Sequence, residues 1–243
     1  MPTTRNIGTP GAANDKIGGV PEFHYYDFAS KGRGEVIRLF FEDAGIAFVD
    51  VRYGFDEWNS KSVEERSQVN PAGTVPFVLL NGKVLAQSYA LLRYFARQLG
   101  TYDGKDSEAM YFVDRITDIT ADWRSRFVDA HFEASPNGLN PADTPKAVKN
   151  HKEFLMPRFV RAIEKLLATS KYSKQGPYVI GADITCKSYA DITLWQMYHD
   201  ERELGGPVKD LIARECPTLQ KLLNEFESRP QLKDYWSSDR YYN

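Results

Sequence analysis

The stretch from Ala72 to Gly100 leaves this chain few choices of fold. Pro76 opens an apolar run that ends at Leu80, and Asn81-Gly82 follows at once. Both residues of that pair tolerate the positive φ of a type I′ turn, so they predict a two-residue hairpin with a return strand over Lys83 to Ala86. Gln87-Ser88 stands where an amphipathic helix begins, with Leu91, Leu92, Phe95 and Leu99 near one face. A proline at the mouth of a strand leaves a carbonyl and a neighbouring N–H without a ladder partner. A serine at a helix N-terminus lies beside unpaired N–H groups and the positive end of the helix dipole. Together the two ends could hold a peptide backbone on one side and a carboxylate on the other.

The chain before this stretch supplies the rest of a small α/β domain. Glu22 to Phe28 is rich in aromatic residues and reads as a strand, and a polar turn with two glycines follows it. Glu35 to Ala44 has helical spacing, with Val36, Leu39, Phe40 and Ala44 on one side and Gly45 as the C′ residue. Ile46 to Tyr53 alternates and reads as a second strand, parallel to the first across a βαβ crossover. Residues 54–70 read as a short helix and loop around Trp58. The order over residues 21–100 is therefore βαβαββα. Residues 1–20 are Gly, Pro, Asn and Thr with almost no large apolar residue, and such a composition predicts a flexible arm.

Past a polar linker, residues 101–107, the strand signals stop. Glu108 to Ala134 predicts one long helix with Ser107 as its N-cap, and residues 134–145 read as a loop. Lys146 to Thr169 predicts a second helix, kinked at Pro157 because proline removes a backbone donor. Residues 170–187 read as irregular. Ser188 and Asp191 have the spacing of a capping box, and two shorter helices follow over about 207–215 and 217–228. The second domain, residues 108–243, is thus expected to be all-helical.

Composition narrows function by exclusion. A net charge of −2 gives no attraction for nucleic acid or an anionic membrane. No apolar run approaches the roughly 18 residues of a membrane span, and the N-terminus lacks the apolar core of a signal peptide. The two cysteines, Cys186 and Cys216, form no CxxC, which fits a reduced cytoplasmic protein. His24, His131, His151 and His199 show no metal-ligand spacing, so no metal is expected.

Five features stand in the same order as in one known family: Glu22–Phe28 before Gly32-Arg33-Gly34-Glu35, Trp58 in the following loop, Thr74-Val75-Pro76, Leu85 to Arg97, and Ser188 to Asp191. On these the chain resembles a cytosolic glutathione transferase, nearest the tyrosine-type classes and, among them, the sigma class and its fungal relatives. The resemblance covers about residues 21–240. It implies a thioredoxin-like N-terminal domain, an α-helical C-terminal domain, a homodimer, and glutathione as co-substrate.

Site residues follow from the same resemblance. A hydroxyl donating to the glutathione sulfur favours the thiolate, and the family places a tyrosine for this at the end of the first strand. Phe23-His24-Tyr25-Tyr26 matches the family's apolar-x-Tyr-aromatic pattern at Tyr25, with Tyr26 as the alternative. The turn up to Gly32-Arg33 is one or two residues longer than is usual there. Ser30 is a rival, because some relatives use a serine at a helix N-terminus. Cysteine-type relatives, thioredoxins and glutaredoxins are disfavoured, since residues 1–185 contain no cysteine. Gln87 and Ser88 match the pair that takes the γ-glutamyl carboxylate, and Val75-Pro76 the cis-proline position that reads the cysteinyl backbone. Thr74 replaces a glutamine common in the family. Trp58 and Lys61 match donors to the glycyl carboxylate, and Arg33 an arginine lining the site. Asp122 matches an aspartate that reaches the substrate's amino group across the dimer. The electrophile pocket is expected from the first turn, the helix around Tyr111 to Phe127, and the C-terminal aromatics Tyr235, Trp236 and Tyr241. The resemblance implies conjugation of glutathione to a small hydrophobic electrophile. Alternatives are a glutathione-dependent isomerase of the prostaglandin-isomerising kind and a non-catalytic glutathione-binding protein.

Overall fold

The computed structural model describes residues 1–132, 144–181, 185 and 187–241. The described chain forms two compact units, residues 1–100 with 228–243 and residues 101–227. The first unit is built on a five-stranded mixed sheet. Its elements are β1 (Thr3–Ile7), α1 (Ala12–Ile17), β2 (Glu22–Tyr26), α2 (Glu35–Ala44), β3 (Phe48–Tyr53), α3 (Phe55–Asn59), α4 (Val63–Val69), β4 (Phe77–Leu80), β5 (Lys83–Ala86) and α5 (Ser88–Leu99). The strand order is β1-β3-β2-β4-β5, with β2 and β3 parallel and the other neighbours antiparallel. From β2 to α5 this is the anticipated thioredoxin-like order, with two short helices, α3 and α4, where one was expected.

The hairpin forms where Asn81-Gly82 predicts it, with φ of 51° and 73° and Leu80 paired to Lys83. Helices α2 and α5 share one face of the sheet, where Phe41 meets Phe23, Phe48 and Phe95 at ring separations of 6.3, 5.2 and 5.1 Å. Trp58 packs against Tyr53 and Phe77 at 5.3 and 5.7 Å, with His24 stacked on Phe77 at 4.3 Å. Strand alternation divides β2 accordingly, Phe23 and Tyr25 facing α2 while His24 and Tyr26 face the other way.

Residues 1–20 are not the free arm that their composition predicts. Strand β1 pairs with β3 from Thr3↔Arg52 to Ile7↔Phe48. The Asn14 side chain does the rest, donating to the carbonyls of Ala47 (2.8 Å) and Gly19 (3.0 Å) and accepting from the Ala47 N–H (3.0 Å). Asn81 adds a bond to the Gly18 carbonyl at 2.9 Å. The segment's two isoleucines, Ile7 and Ile17, are both buried. A composition argument weighs apolar area, and this segment is held mostly by backbone pairing and amide side chains.

The chain's end also departs from the expected division. Residues 228–241 belong to the first unit. The Arg229 guanidinium pairs with Asp43 of α2 at 3.0 Å, with both side chains fully buried. Arg240 pairs with Glu42, and Arg5 with Asp239 at 3.0 Å. A one-turn helix, α12 (Lys233–Trp236), lies between these anchors.

The second unit is helical throughout its named elements, apart from short 3₁₀ and π turns. Its long helix α6 spans Ser107–His131, and its N-cap is Asp106, whose carboxylate accepts from the Ala109 N–H at 2.8 Å; Ser107 is the first helical residue. The chain from Thr144 to Thr169 is continuously helical. It comprises α7 (Thr144–Asn150), a π turn (His151–Leu155) and α8 (Met156–Thr169). The π turn ends just before Pro157, where the predicted kink is absorbed as a change of hydrogen-bond register. Helix α9 (Tyr189–Glu203) is buried almost all round. It begins with the predicted capping box, the Asp191 carboxylate accepting from the Ser188 N–H (2.7 Å) and also from the Val179 N–H (2.9 Å). Helices α10 (Val208–Glu215) and α11 (Pro217–Glu227) complete the unit. Most of the 134–145 loop and Cys186 lie outside the described residues.

Candidate functional site

Two parts of the first unit carry the sequence-predicted site residues other than Asp122. One is the entry to β4 and α5. Asn70, buried, donates to the Thr74 carbonyl (2.8 Å) and accepts from the Ala72 N–H (3.3 Å), which shapes the loop ahead of the strand. The Val75–Pro76 bond is cis, as the match to the family position implies. Thr74 is exposed and Val75 half-buried. At the far end of the hairpin, Gln87 has φ 73°, ψ 108°, outside the regions that L-residues favour, and α5 starts at the next residue. Gln87 is exposed and Ser88 buried, so the first N–H groups of α5 open beside an exposed amide. Trp58 is buried in the core and Lys61 half-buried, on or just past α3. Asn70 was missed by sequence reading. An asparagine three residues before Gly73 is a turn signal, although nothing local shows that it is buried.

The other part is the turn that wraps Tyr25. The Arg33 N–H donates to the Tyr25 hydroxyl oxygen at 3.0 Å. Two glycines make the approach possible. A Cβ on Gly34 would stand 2.2 Å from the Tyr25 ring, and one on Gly32, at φ 80°, would stand 2.6 Å from the hydroxyl. The turn therefore closes around this one tyrosine, and Gly32 and Gly34 are site residues that sequence reading noted only as a turn. The Arg38 guanidinium lies over the Phe23 and Tyr25 rings at 5.2 and 5.8 Å. It also grips Asp50 of β3 through Nε at 3.1 Å. Asp50 in turn accepts from Arg52 Nε at 2.7 Å.

Tyr26, on the opposite face, donates its hydroxyl proton to Asn59 Oδ1 at 2.9 Å, and burial raises its pKa above the usual tyrosine value. Its ring stacks with Phe28 at 4.9 Å and meets Phe55 at 5.4 Å, which leaves a partly exposed aromatic trio beside the turn. Ser30 is fully buried and hydrogen-bonded to Tyr235.

The C-terminal aromatics cluster with one another. Tyr235 is buried, Trp236 and Tyr241 pack on it and on each other at 4.8–5.7 Å, and the Tyr235 hydroxyl donates to Glu35. Burial pushes the Glu35 carboxyl up to about 7, against the pull of Arg38 and the Tyr235 hydrogen bond. Asp122 lies exposed on α6 of the second unit. Asp114, about two turns earlier on the same helix, accepts from the Tyr189 hydroxyl at 2.8 Å. Among the described residues, no group of three or more His, Cys, Asp or Glu is placed to hold a metal.

Known proteins bear on this arrangement. Residues 21–97 match the family model of the glutathione S-transferase N-terminal domain, and residues 121–239 that of the C-terminal domain. A probable glutathione S-transferase 9 of Caenorhabditis elegans is 29% identical over 75% of this chain and 82% of its own length. Glutathione S-transferase P 1 of Bufo bufo is 27% identical over 91% of this chain and 94% of its own. The solved glutathione S-transferase of Ascaris lumbricoides is 26% identical, covers 92% of this chain and 98% of its own, and superposes with a TM-score of 0.70.

Proposed function

The chain belongs to the glutathione S-transferase family and is an enzyme of it, and we propose that Tyr25 activates the glutathione thiol for attack on a small hydrophobic electrophile. The observation that carries this reading is the contrast between the two tyrosines. The Tyr25 oxygen accepts from the Arg33 N–H inside the turn that encloses its ring. The Tyr26 proton is already given to Asn59. A hydroxyl donating to a charged group contributes about 1.5–3 kcal/mol. At roughly 1.4 kcal/mol per unit, that lowers a thiol pKa near 8.5 by about one to two units and makes thiolate abundant at neutral pH. The thiol proton leaves to solvent, and the sulfur lone pair then forms the bond to the electrophilic carbon while the leaving group departs with its bonding pair (halide from an aryl halide) or, in an addition, the displaced π pair takes up a proton from solvent.

Binding is assigned to the other part. Val75, ahead of the cis bond, pairs strand-like with the cysteinyl backbone, and Thr74 borders it. Gln87, Ser88 and the start of α5 take the γ-glutamyl carboxylate. Trp58, Lys61 and Arg33 serve the glycyl end and the site wall, and Asp122 the amino group from a second copy of the chain. The aromatic trio Tyr26, Phe28 and Phe55 supports an apolar, preferably flat, second substrate. The class reading is tyrosine-type and sigma-like, in a cytoplasmic homodimer without metal. No described helix is long and apolar enough to cross a membrane.

The test is retention on glutathione resin followed by conjugation of a generic aromatic halide. Tyr25→Phe should lower turnover about tenfold or more while retention persists, from the lost hydrogen bond to the anion. An unchanged rate in Tyr25→Phe, with Tyr26→Phe inactive, reverses the assignment. Binding without turnover in the unaltered protein contradicts the catalytic reading.

A further inference from the structure

The turn around Tyr25 is long, and its backbone is strained at Ala29, which has φ 57°, while Gly32 takes φ 80° as glycine readily does. Such a segment keeps one conformation only where its surroundings hold it. Ser30 and Glu35, on either side of Gly32 and Gly34, are both fully buried. One group meets both of them. The Ser30 hydroxyl bonds to the Tyr235 oxygen, and the Tyr235 hydroxyl donates to Glu35 Oε1. Glu35 Oε2 in turn accepts from Arg38 at 3.4 Å, and Arg38 lies against the Tyr25 ring. Tyr235 comes from 200 residues away. It is delivered by a tail that is pinned on both sides, by Arg229 on Asp43 and by Arg240 on Glu42. The Arg240 carbonyl also accepts from Arg52 at 3.4 Å.

We propose that the Tyr235 hydroxyl is a positioning group: by bridging Ser30 and Glu35 it holds the turn that seats Tyr25, so the C-terminal tail sets how strongly the thiol is activated. The proposal rests on the reading of Tyr25 as the activating hydroxyl. Hydrogen bonds weaken steeply with misalignment, and a displacement of about 1 Å at a reacting group can cost orders of magnitude in rate. Removing the bridge leaves the Ser30 hydroxyl without that partner and Glu35 with one fewer donor in a dry site. The turn then loses one of the contacts that press Gly32 and Gly34 on the ring, and the Arg33 N–H bond to Tyr25 is left to hold it with less support. The binding part, at Val75 and Gln87-Ser88, lies on other segments, the entry to β4 and the start of α5.

The experiment compares unaltered enzyme, Tyr235→Phe and Tyr25→Phe. It titrates the ultraviolet absorbance of bound glutathione thiolate against pH, with kcat and KM measured across the same range. Tyr235→Phe should raise the apparent thiol pKa and lower kcat near neutral pH by roughly three- to tenfold, a part of the one to two units that the Tyr25 bond supplies. KM for glutathione should stay within about twofold, because the residues assigned to binding are left unaltered. The deficit should shrink as pH rises past the shifted pKa, which a general loss of folded protein would not produce. An unchanged thiol titration in Tyr235→Phe, with Tyr25→Phe clearly raised, overturns the proposal and leaves the Tyr25 reading intact. An unchanged titration in Tyr25→Phe overturns both. Should Tyr235→Phe not fold, Ser30→Ala breaks the same bridge from the turn's side and is read by the same criteria.

Discussion

The loop before β4 and the turn after β2 are held by different kinds of contact. Asn70 reaches four residues along the chain to Thr74, and the hairpin that follows closes through Asn81-Gly82. The turn from Tyr25 to Glu35 is fastened instead by Tyr235, 200 positions on, and by a buried chain of charges through Arg38 and Asp50. The first part presents backbone groups and a helix start, which suit recognition of a peptide-like co-substrate. The second presents one phenol whose strength as a donor depends on small displacements. The difference implies that binding and activation are separable: damage to the turn or the tail should cost turnover, and damage to the hairpin should cost affinity.

The sharpest way to break that division is at Gly34. A Cβ there would overlap the Tyr25 ring, its nearest atoms only 2.2 Å away. Overpacking of this kind typically costs 1–3 kcal/mol or about that much in forced rearrangement. Gly34→Ala should therefore displace Tyr25 and reduce kcat about as much as Tyr25→Phe, tenfold or more on the order of the lost bond to the thiolate, while resin retention continues. Steady-state kinetics with a retention assay decides it, and full activity in Gly34→Ala would sink the account of the turn.

A smaller effect is expected at the opposite edge of the sheet. Asn14→Ala removes three bonds to backbone groups of Ala47 and Gly19. Leaving such buried groups unsatisfied costs about 1–3 kcal/mol. Residues 1–20 should then exchange amide hydrogens faster and be cut sooner by protease, with kcat unchanged within about twofold since no step of catalysis draws on them. A matching loss of turnover would show that the edge strand and the tyrosine turn are not independent.

The least effect is a slope. Glu35 faces Arg38, Arg52, Asp50 and Tyr235, and its carboxyl lies near 7 in the folded chain against an ordinary 4.5. Between these values the folded state holds a proton that the unfolded state has released. Glu35 thus contributes stability that is present below about 4.5 and is lost as pH rises through about 7. Denaturant titrations of Glu35→Gln should show a flatter pH dependence across that window than the unaltered chain. An equal slope would mean that Glu35 does not titrate there.

The same comparison explains what the sequence could show. Asn81-Gly82 and Ser188 with Asp191 announce a turn and a capping box because their partners lie within a few residues. The parallel pairing of β2 and β3 follows from connection rules. The cis bond at Pro76 and the strand-end tyrosine come from resemblance to a family whose members share them. Nothing local reveals that Tyr235 meets Ser30 and Glu35, or that Asn14 pairs with Ala47 across 33 positions. Aromatic residues near a chain end look like a pocket wall when counted, and here they anchor the tail. A polar arm looks mobile when its apolar area is summed, and here its backbone completes a sheet.

The central claim is that Tyr25 activates the thiol and that the 75–88 element only binds it. The most direct measurement is the pH titration of glutathione thiolate bound to Tyr25→Phe and, side by side, to Ser88→Ala. The account predicts an apparent thiol pKa raised by about one to two units in Tyr25→Phe with binding retained. It predicts weakened binding with an unshifted thiol in Ser88→Ala. A shifted thiol in Ser88→Ala, or an unshifted one in Tyr25→Phe, would contradict it.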